Sequence, residues 1–216
     1  MPNPNFQLLP ATPDDIPTFA DIFFSAFKSD FSTQCFPVIP SVVNFWKQGI
    51  EKDFQDADNL FLKVVERKKE DDDGSNDPIV AFALWTKPVE GKRPSPLPQQ
   101  WPEDCNAQLA NEFFGNLKEG HLRLMGEKAH WFLVLLGTRP EYQGQGAGGM
   151  LLRYGLRKAD EGQLDTFLEA SPDGEPVYLK YGFEVRERVT VMVPVDGTLK
   201  PYGNGLMVRK PKPLAA

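Results

Sequence analysis

Seven residues from Gln143 to Gly149, QGQGAGG, carry four glycines, and the chemistry they suit is the holding of an anion. Without a Cβ at those positions the backbone can come close to a ligand and turn through conformations other residues avoid. Behind the turn, Leu151, Leu152, Leu156 and Ala159 recur at helical spacing, with Arg153, Arg157, Lys158, Asp160 and Glu161 mostly on the other side. A helix start therefore lies directly behind the glycines and offers unpaired N–H groups and the positive end of the helix dipole. Phosphate or pyrophosphate suits such a turn; a plain surface turn is the alternative. In front of it, Trp131 to Leu136 is an unbroken apolar run of the length of a strand buried on both faces. Strand, turn and helix form one unit, from His130 to Glu161.

Two phosphate-binding patterns fit the turn. Gly144 to Gly149 satisfies the spacing G-x-G-x-x-G, and Glu169 lies twenty positions beyond Gly149, as a nicotinamide-dependent oxidoreductase would require. That domain places the turn after its first strand with several βα units to follow, and only 67 residues remain after Gly149. The Gly-Lys-Ser/Thr of a nucleoside triphosphate loop is absent from the turn. The second pattern is Gln-x-x-Gly-x-Gly, written by Gln143, Gly144, Gln145, Gly146, Ala147 and Gly148. Some thirty residues on stands Tyr-x-x-x-Gly-Phe, with Tyr178, Gly182 and Phe183. Together the two motifs resemble the acetyl-coenzyme A site of the Gcn5-related N-acetyltransferase (GNAT) superfamily, over roughly residues 130 to 195.

That resemblance implies a three-layer α/β fold, a mixed, mostly antiparallel twisted sheet flanked by helices, in one domain spanning residues 1–216. It implies acetyl-coenzyme A as cosubstrate, with the pyrophosphate on Gln143, Gly144, Gln145, Gly146, Ala147, Gly148 and Gly149. The pantetheine arm would lie along Leu135, Leu136, Gly137 and Thr138, in a gap between the strand ending at Thr138 and the strand ending at Ala170. Tyr178 occupies the place of a general acid that protonates the leaving thiolate; a phenol, with an ordinary pKa near 10, keeps its proton at neutral pH. Glu169, at the end of the second strand, is the candidate base, directly or through water, and an exposed or capping glutamate is the alternative. Where many members have an asparagine, seven residues before the tyrosine, this chain has Ser171, which can still hydrogen-bond. Arg153 and Lys158 could meet the adenosine 3′-phosphate, or be ordinary surface charge. The expected acceptor is a primary amine on a small molecule. A protein or peptide amine, a longer acyl donor, and a non-catalytic acyl-coenzyme A sensor stay open.

At 216 residues the chain can build one sizeable core, and 41% hydrophobic with 25% charged residues is ordinary for a soluble domain. A net charge of -6 argues against a nucleic-acid or anionic-membrane binder. Cys35 and Cys105 are far apart in sequence and His121 and His130 are the sole histidines, so no metal is expected. The N-terminus has no secretory pattern and no long apolar stretch occurs, so a monomer or homodimer in the cytosol or nucleus is expected.

The remaining elements must position that unit. Phe6 to Leu9 reads as a strand, and Asp14 to about Lys28 as a helix with its stripe at Ile16, Phe19, Ala20, Phe23, Ala26 and Phe27; Ile22 and Phe24 fall outside it. This surplus is a second packing surface, or else Phe24, Phe27, Phe31 and Phe36 wall the acceptor pocket, as the resemblance favours. A second helix runs from Ser41, as N-cap, to about Phe54, and strands cover Leu60 to Val65 and Ile79 to Trp85, joined by the charged loop ERKKEDDDGSND. Four prolines between Lys87 and Trp101 exclude helix and central strand, and a helix follows over about 104–118. Residues 87–129 thus read as an insertion, either a lid over the acceptor or a packed decoration. His130 and His121 read as structural, His121 without supporting neighbours. Strands at Gln163 to Ala170 and Glu184 to Val193, a short helix at Glu175 to Tyr181 and a last strand at Leu206 to Arg209 complete the chain.

Overall fold

The computed structural model describes residues 3–67 and 77–213; the charged loop between the second and third strands falls, over 68–76, outside them, as does the C-terminal 214–216. Among the described residues seven strands form one sheet: β1 (Phe6–Pro10), β2 (Asn59–Glu66), β3 (Ile79–Thr86), β4 (Trp131–Thr138), β5 (Thr166–Ala170), β6 (Glu184–Val195) and β7 (Thr198–Arg209). The spatial order is β1-β2-β3-β4-β5-β7-β6. Only β4 and β5 are parallel, and every other neighbouring pair is antiparallel. The sheet is therefore mixed and mostly antiparallel, as expected.

Helices cover both faces. On one, α5 (Ala147–Gly162) buries Leu151, Leu152, Leu156 and Ala159 against Trp85, Leu133 and Leu168. Gly155 lets the helix approach, since a Cβ there would stand 2.4 Å from the Trp85 ring. On the other face, α1 (Ile16–Ala26) and α3 (Pro40–Gln55) cover β2 and β3, while α4 (Ala107–Met125) covers β5, β6 and β7. A short helix, α2 (Asp30–Cys35), packs Phe31 between Phe113 and Tyr202, with ring centroids 4.3 and 4.8 Å away. The sixth helix, α6 (Glu175–Lys180), follows β5.

Several boundaries differ from the sequence reading for identifiable reasons. Ile22 is fully buried, so α1 is indeed buried on two sides; its second side meets β4, where a Cβ on Gly137 would come 3.2 Å from Ile22. The α3 helix begins one residue before Ser41, with Pro40 in its first turn and Ile39 as cap, and the Ser41 hydroxyl instead donates to Asp104 at 2.7 Å. The α4 helix runs seven residues past the expected end at 118, to Met125, capped at its start by the Asn106 side chain accepting from the Leu109 N–H at 3.1 Å. The β7 strand begins at Thr198 rather than Leu206, through Pro201, Gly203 and Gly205, which read locally as breakers. It holds because it pairs on both sides, with β5 and with β6.

Two features of this frame create the site. The β4–β5 ladder has three residue pairs, from Trp131↔Thr166 to Leu133↔Leu168, and ends there although β4 continues to Thr138. A bulge at that level gives Val134 no partner on β3, and this valine of a central strand is 41% exposed. On the same level, the space between α3 and α4 is roofed by the proline-rich segment.

Candidate active site

The glycine turn stands where β4, past its last β5 pair, reaches α5. Gly144 and Gly146 have φ of 76° and 95°, left-handed values that a side chain resists, and Gly146 caps the helix. The N–H groups of Gly146, Ala147, Gly148 and Gly149 meet no backbone carbonyl among the described residues; the first that does is Met150, to Gly146 at 3.1 Å. A Cβ on Gly148 would touch Leu136 and Thr138 at 3.3 and 3.4 Å, so the end of β4 lies directly against the turn. Gln143 donates its side-chain N–H to the Thr138 carbonyl at 3.2 Å and so ties the two together. Gln145 is fastened from outside, its carbonyl accepting from the Asn3 N–H at 3.0 Å. Leu135, Leu136, Gly137 and Thr138 pair with β3 on one side only, leaving backbone groups on the β5 side without a strand partner.

Tyr181, at the end of α6, joins this region. Its hydroxyl accepts from Arg153 at 3.0 Å and would lie 2.5 Å from a Cβ on Gly149. Tyr178, one helical turn earlier, is half-buried beside Phe183, and loss of hydration pushes its phenol up to about 12. The phenol therefore keeps its proton at neutral pH. Ser171 uses its hydroxyl to accept from the Gly174 N–H at 3.2 Å in the turn before α6. Lys158 pairs with Glu161 at 2.8 Å on the α5 surface, away from the turn.

Opposite lies a cavity of about 410 Å³, walled by α3, α4, the strand ends and the proline-rich segment. Phe36, Phe45, Trp46, Trp101, Phe114 and Phe132 supply its phenylalanine and tryptophan rings, and Glu169 stands in its wall. Burial pushes the Glu169 carboxyl up to about 7, between the charged and uncharged forms at neutral pH. The segment's Lys92 is held between Asp56 and Asp58 at 2.9 and 2.8 Å, and Trp101 donates to Asn111 at 2.8 Å.

The structure thus brings Glu169 and Phe36 into one cavity and leaves the other predicted aromatics outside it. Phe31 is only 4% exposed in the core, Phe24 backs Trp46 at 6.2 Å, and Phe27 packs on Phe23 at 5.0 Å. Phe24 and Phe27, on α1 and at its C-terminal cap, pack among the rings of α1 and α3, while Phe31 on α2 is turned into the core beside α4.

The histidines need correction. His121 is not without neighbours: its Nε2 lies 2.7 Å from His130 Nε2, and His130 Nδ1 lies 2.6 Å from the Lys128 carbonyl oxygen. A carbonyl can only accept, so His130 carries its proton on Nδ1, and the shared Nε2 contact takes its proton from His121. This leaves His121 Nδ1 a bare, buried acceptor without a partner among the described residues. Burial, helped by His130, pulls His121 down to about 3, and burial also lowers His130, so the pair is uncharged at neutral pH. Both rings line the cavity. Nine residues separate them across a helix end and a loop, a spacing with no sequence signature.

Residues 107–194 match the family model of the acetyltransferase (GNAT) domain, a span from the start of α4 almost to the end of β6. Over that span, less than half of its length, the chain is similar to the GNAT acetyltransferases. Both motifs, at 143–149 and 178–183, lie inside the matched span. Solved structures share this GNAT fold. One, described as histone acetyltransferase HPA2 and related acetyltransferase from Corynebacterium glutamicum ATCC 13032, is 22% identical over 98% of this chain and 99% of its own, with a TM-score of 0.58. Arabidopsis thaliana NAA60 in complex with a bisubstrate analogue is 14% identical over 95% and 97%, with a TM-score of 0.56. PaiA N-acetyltransferase from Thermoplasma acidophilum in complex with coenzyme A is 14% identical over 95% and 98%, at 0.51. The GNAT topology also removes the nicotinamide reading, because after the turn this sheet adds one parallel strand and then two antiparallel ones.

Proposed function

We propose that this GNAT enzyme transfers the acetyl group of acetyl-coenzyme A to a primary amine on a small molecule. The observation that carries the reading is the pairing of an open β4 edge with a roofed cavity: β4 loses β5 after Leu133, and at the same level the cavity holds Glu169. A roof pinned at Lys92 and Trp101 favours a compact acceptor over a protein chain, which needs an open groove.

The chain fits the donor. Four consecutive N–H groups at the start of α5 suit a pyrophosphate, side chains at Gly148 and Gly149 would fill the space against Thr138 and Tyr181, and the unpaired edge of Leu135 to Thr138 suits an amide-bearing arm. Bound there, acetyl-coenzyme A supplies an activated acyl carbon. Glu169, poised near 7, accepts a proton from the acceptor's ammonium, directly or through water, and so produces the neutral amine that can attack. Tyr178, held in its protonated form by burial, donates to the departing sulfur. Ser171 acts by shaping the turn into α6 that sets Tyr178. The proline-rich part of residues 87–129 serves as the fixed roof of the acceptor site, and 130–195 as the donor-binding core.

The test is thiol release from acetyl-coenzyme A with a panel of small amines and of peptides with free N-termini or lysines. Turnover of small amines at kcat/KM at least tenfold above every peptide supports the reading; the reverse order assigns a protein acceptor instead.

A further inference from the structure

The cavity wall is chemically one-sided in a way that specifies the body of the acceptor; this deepens the small-molecule reading above and rests on it. Six phenylalanine and tryptophan rings converge on the space: Phe36, Phe45, Trp46, Trp101, Phe114 and Phe132. They come from five stretches of the chain, the end of α2, α3, the proline-rich segment, α4 and β4, and lock together, Trp101 lying nearly parallel to Phe114 at 5.9 Å and Phe36 meeting both edge-on near 6 Å. Rings arranged in this way offer faces and edges to another ring, the geometry in which aromatic pairs gain beyond simple burial.

Charge narrows the class further. The lining has three carboxylates, Asp53, Asp56 and Glu169, against four basic side chains, and Lys92 already engages Asp56. The His121–His130 pair adds no charge to the floor, because one fixed tautomer satisfies the 2.7 and 2.6 Å contacts with both rings neutral. A polycation would therefore meet more positive than negative groups, whereas a single ammonium has Glu169 at the β4–β5 divergence.

Spacing sets the length. Leu168 pairs with Leu133 in the last step of the ladder, Glu169 and Val134 are the next residues on their strands, and Phe132, two residues back from Val134, lines the same cavity as both. Two residues of strand are about 7 Å. An amine at Glu169 whose ring rests over Phe132 needs a spacer of about two or three carbons to cover that distance.

We propose that the acceptor is an arylalkyl monoamine, with its amine at Glu169 and its ring among Phe132, Trp101 and Phe114. Trp101 and Phe114 are specificity-determining residues in this arrangement. Trp101 lies on the irregular roof and Phe114 half-buried on α4, so Trp101→Ala and Phe114→Leu remove a ring without removing a strand or a cap.

The experiment compares kcat/KM for 2-phenylethylamine, hexylamine, spermidine and an N-terminal alanyl peptide, by thiol release, in the wild type and both variants, with calorimetric acetyl-coenzyme A binding on each preparation. The expected result is at least a tenfold preference of the wild type for 2-phenylethylamine over each of the others. The preference over hexylamine should shrink at least threefold in each variant, since both amines share the reacting group and differ in the ring. Spermidine or the peptide as the best substrate overturns the inference and leaves acetyl transfer standing. So does acetyl-coenzyme A binding with no aromatic amine turned over, or a preference that both variants retain. Failure of acetyl-coenzyme A to bind overturns the underlying reading as well.

Discussion

In the proposed mechanism Glu169 and Tyr178 divide the proton chemistry, because the same force, burial, moves both groups upward with opposite consequences. It brings a carboxyl into the range where it can take a proton and carries a phenol further from losing one. Glu169→Gln should lower kcat by about 100-fold, in the range of general base catalysis, and remove the rise of kcat/KM that the wild type should show as pH passes through about 7. A pH–rate profile of both proteins checks this. The same substitution should raise stability at high pH. A carboxyl whose folded pKa lies above its unfolded value stabilises the fold when protonated, and that contribution is lost as pH rises from the ordinary range near 4.5 through about 7. Above pH 8 the Gln variant should therefore melt higher by about 2–5 °C, read by calorimetry. Tyr178→Phe should reduce turnover by about tenfold or more while leaving acetyl-coenzyme A affinity within about twofold, since the ring remains and only the acid is removed. Wild-type turnover in that variant would take Tyr178 out of the mechanism. The sequence offered Tyr178 as a candidate through the Tyr-x-x-x-Gly-Phe motif and Glu169 through its place at the end of the second strand. The histidine pair was not, because hydrogen bonding between His121 and His130 depends on how α4 ends and β4 begins.

At the scale of elements, the turn and the roof have different origins. The turn is local: four glycines, a following amphipathic stripe and a preceding apolar run are contiguous, so strand, cradle and helix could be read directly. The roof is not. Lys87 to Trp101 has no periodicity, and nothing in its prolines tells that Lys92 will bridge Asp56 and Asp58 or that Trp101 will pack against Phe114. The same holds for β7, whose Pro201 and Gly203 argue against a strand until two partners pair with it. One missed signal was available. Asp196 and Gly197 both have positive φ, at 49° and 74°, the paired left-handed turn for which Asp-Gly is favoured, and this fixes the β6–β7 hairpin. The division predicts a separable effect: Lys92→Met should release the roof from the turn between α3 and β2 and raise acceptor KM by about three- to tenfold. Acetyl-coenzyme A affinity, measured by calorimetry, should stay within about twofold. A matching loss of acetyl-coenzyme A affinity would contradict the separation of donor and acceptor sides.

The whole molecule is a sheet held closed at one place and allowed to open at another. Near the closed end, Arg209 on β7 is 4% exposed and forms a bidentate pair with Asp160 of α5 at 2.8 and 2.9 Å. Burial alone would raise the Asp160 carboxyl, but the hydrogen bonds and charges of Arg209 and Lys212 hold it below the usual range. Asp160→Asn should cost about 2–4 kcal/mol in denaturant unfolding, since it strands a buried guanidinium. A loss below about 0.5 kcal/mol would show the pair to be incidental. No helix among the described residues is long and apolar enough to cross a membrane. The mixed sheet and its helices were legible because periodicity and motif order agreed along the chain, whereas the cavity between α3 and α4 exists only in the assembled layers. The central claim is that the opened β4 edge and the turn at Gly146 hold acetyl-coenzyme A. The most direct test is calorimetric titration of the wild type and of Gly146→Asp with acetyl-coenzyme A, with NADH run alongside. Gly146 sits at φ 95°, so the substitution brings strain, bulk and negative charge to one point. The account predicts saturable one-site binding by the wild type, none by the variant, and none of NADH to either. Equal acetyl-coenzyme A affinity in the two proteins, or no binding by the wild type, would contradict it.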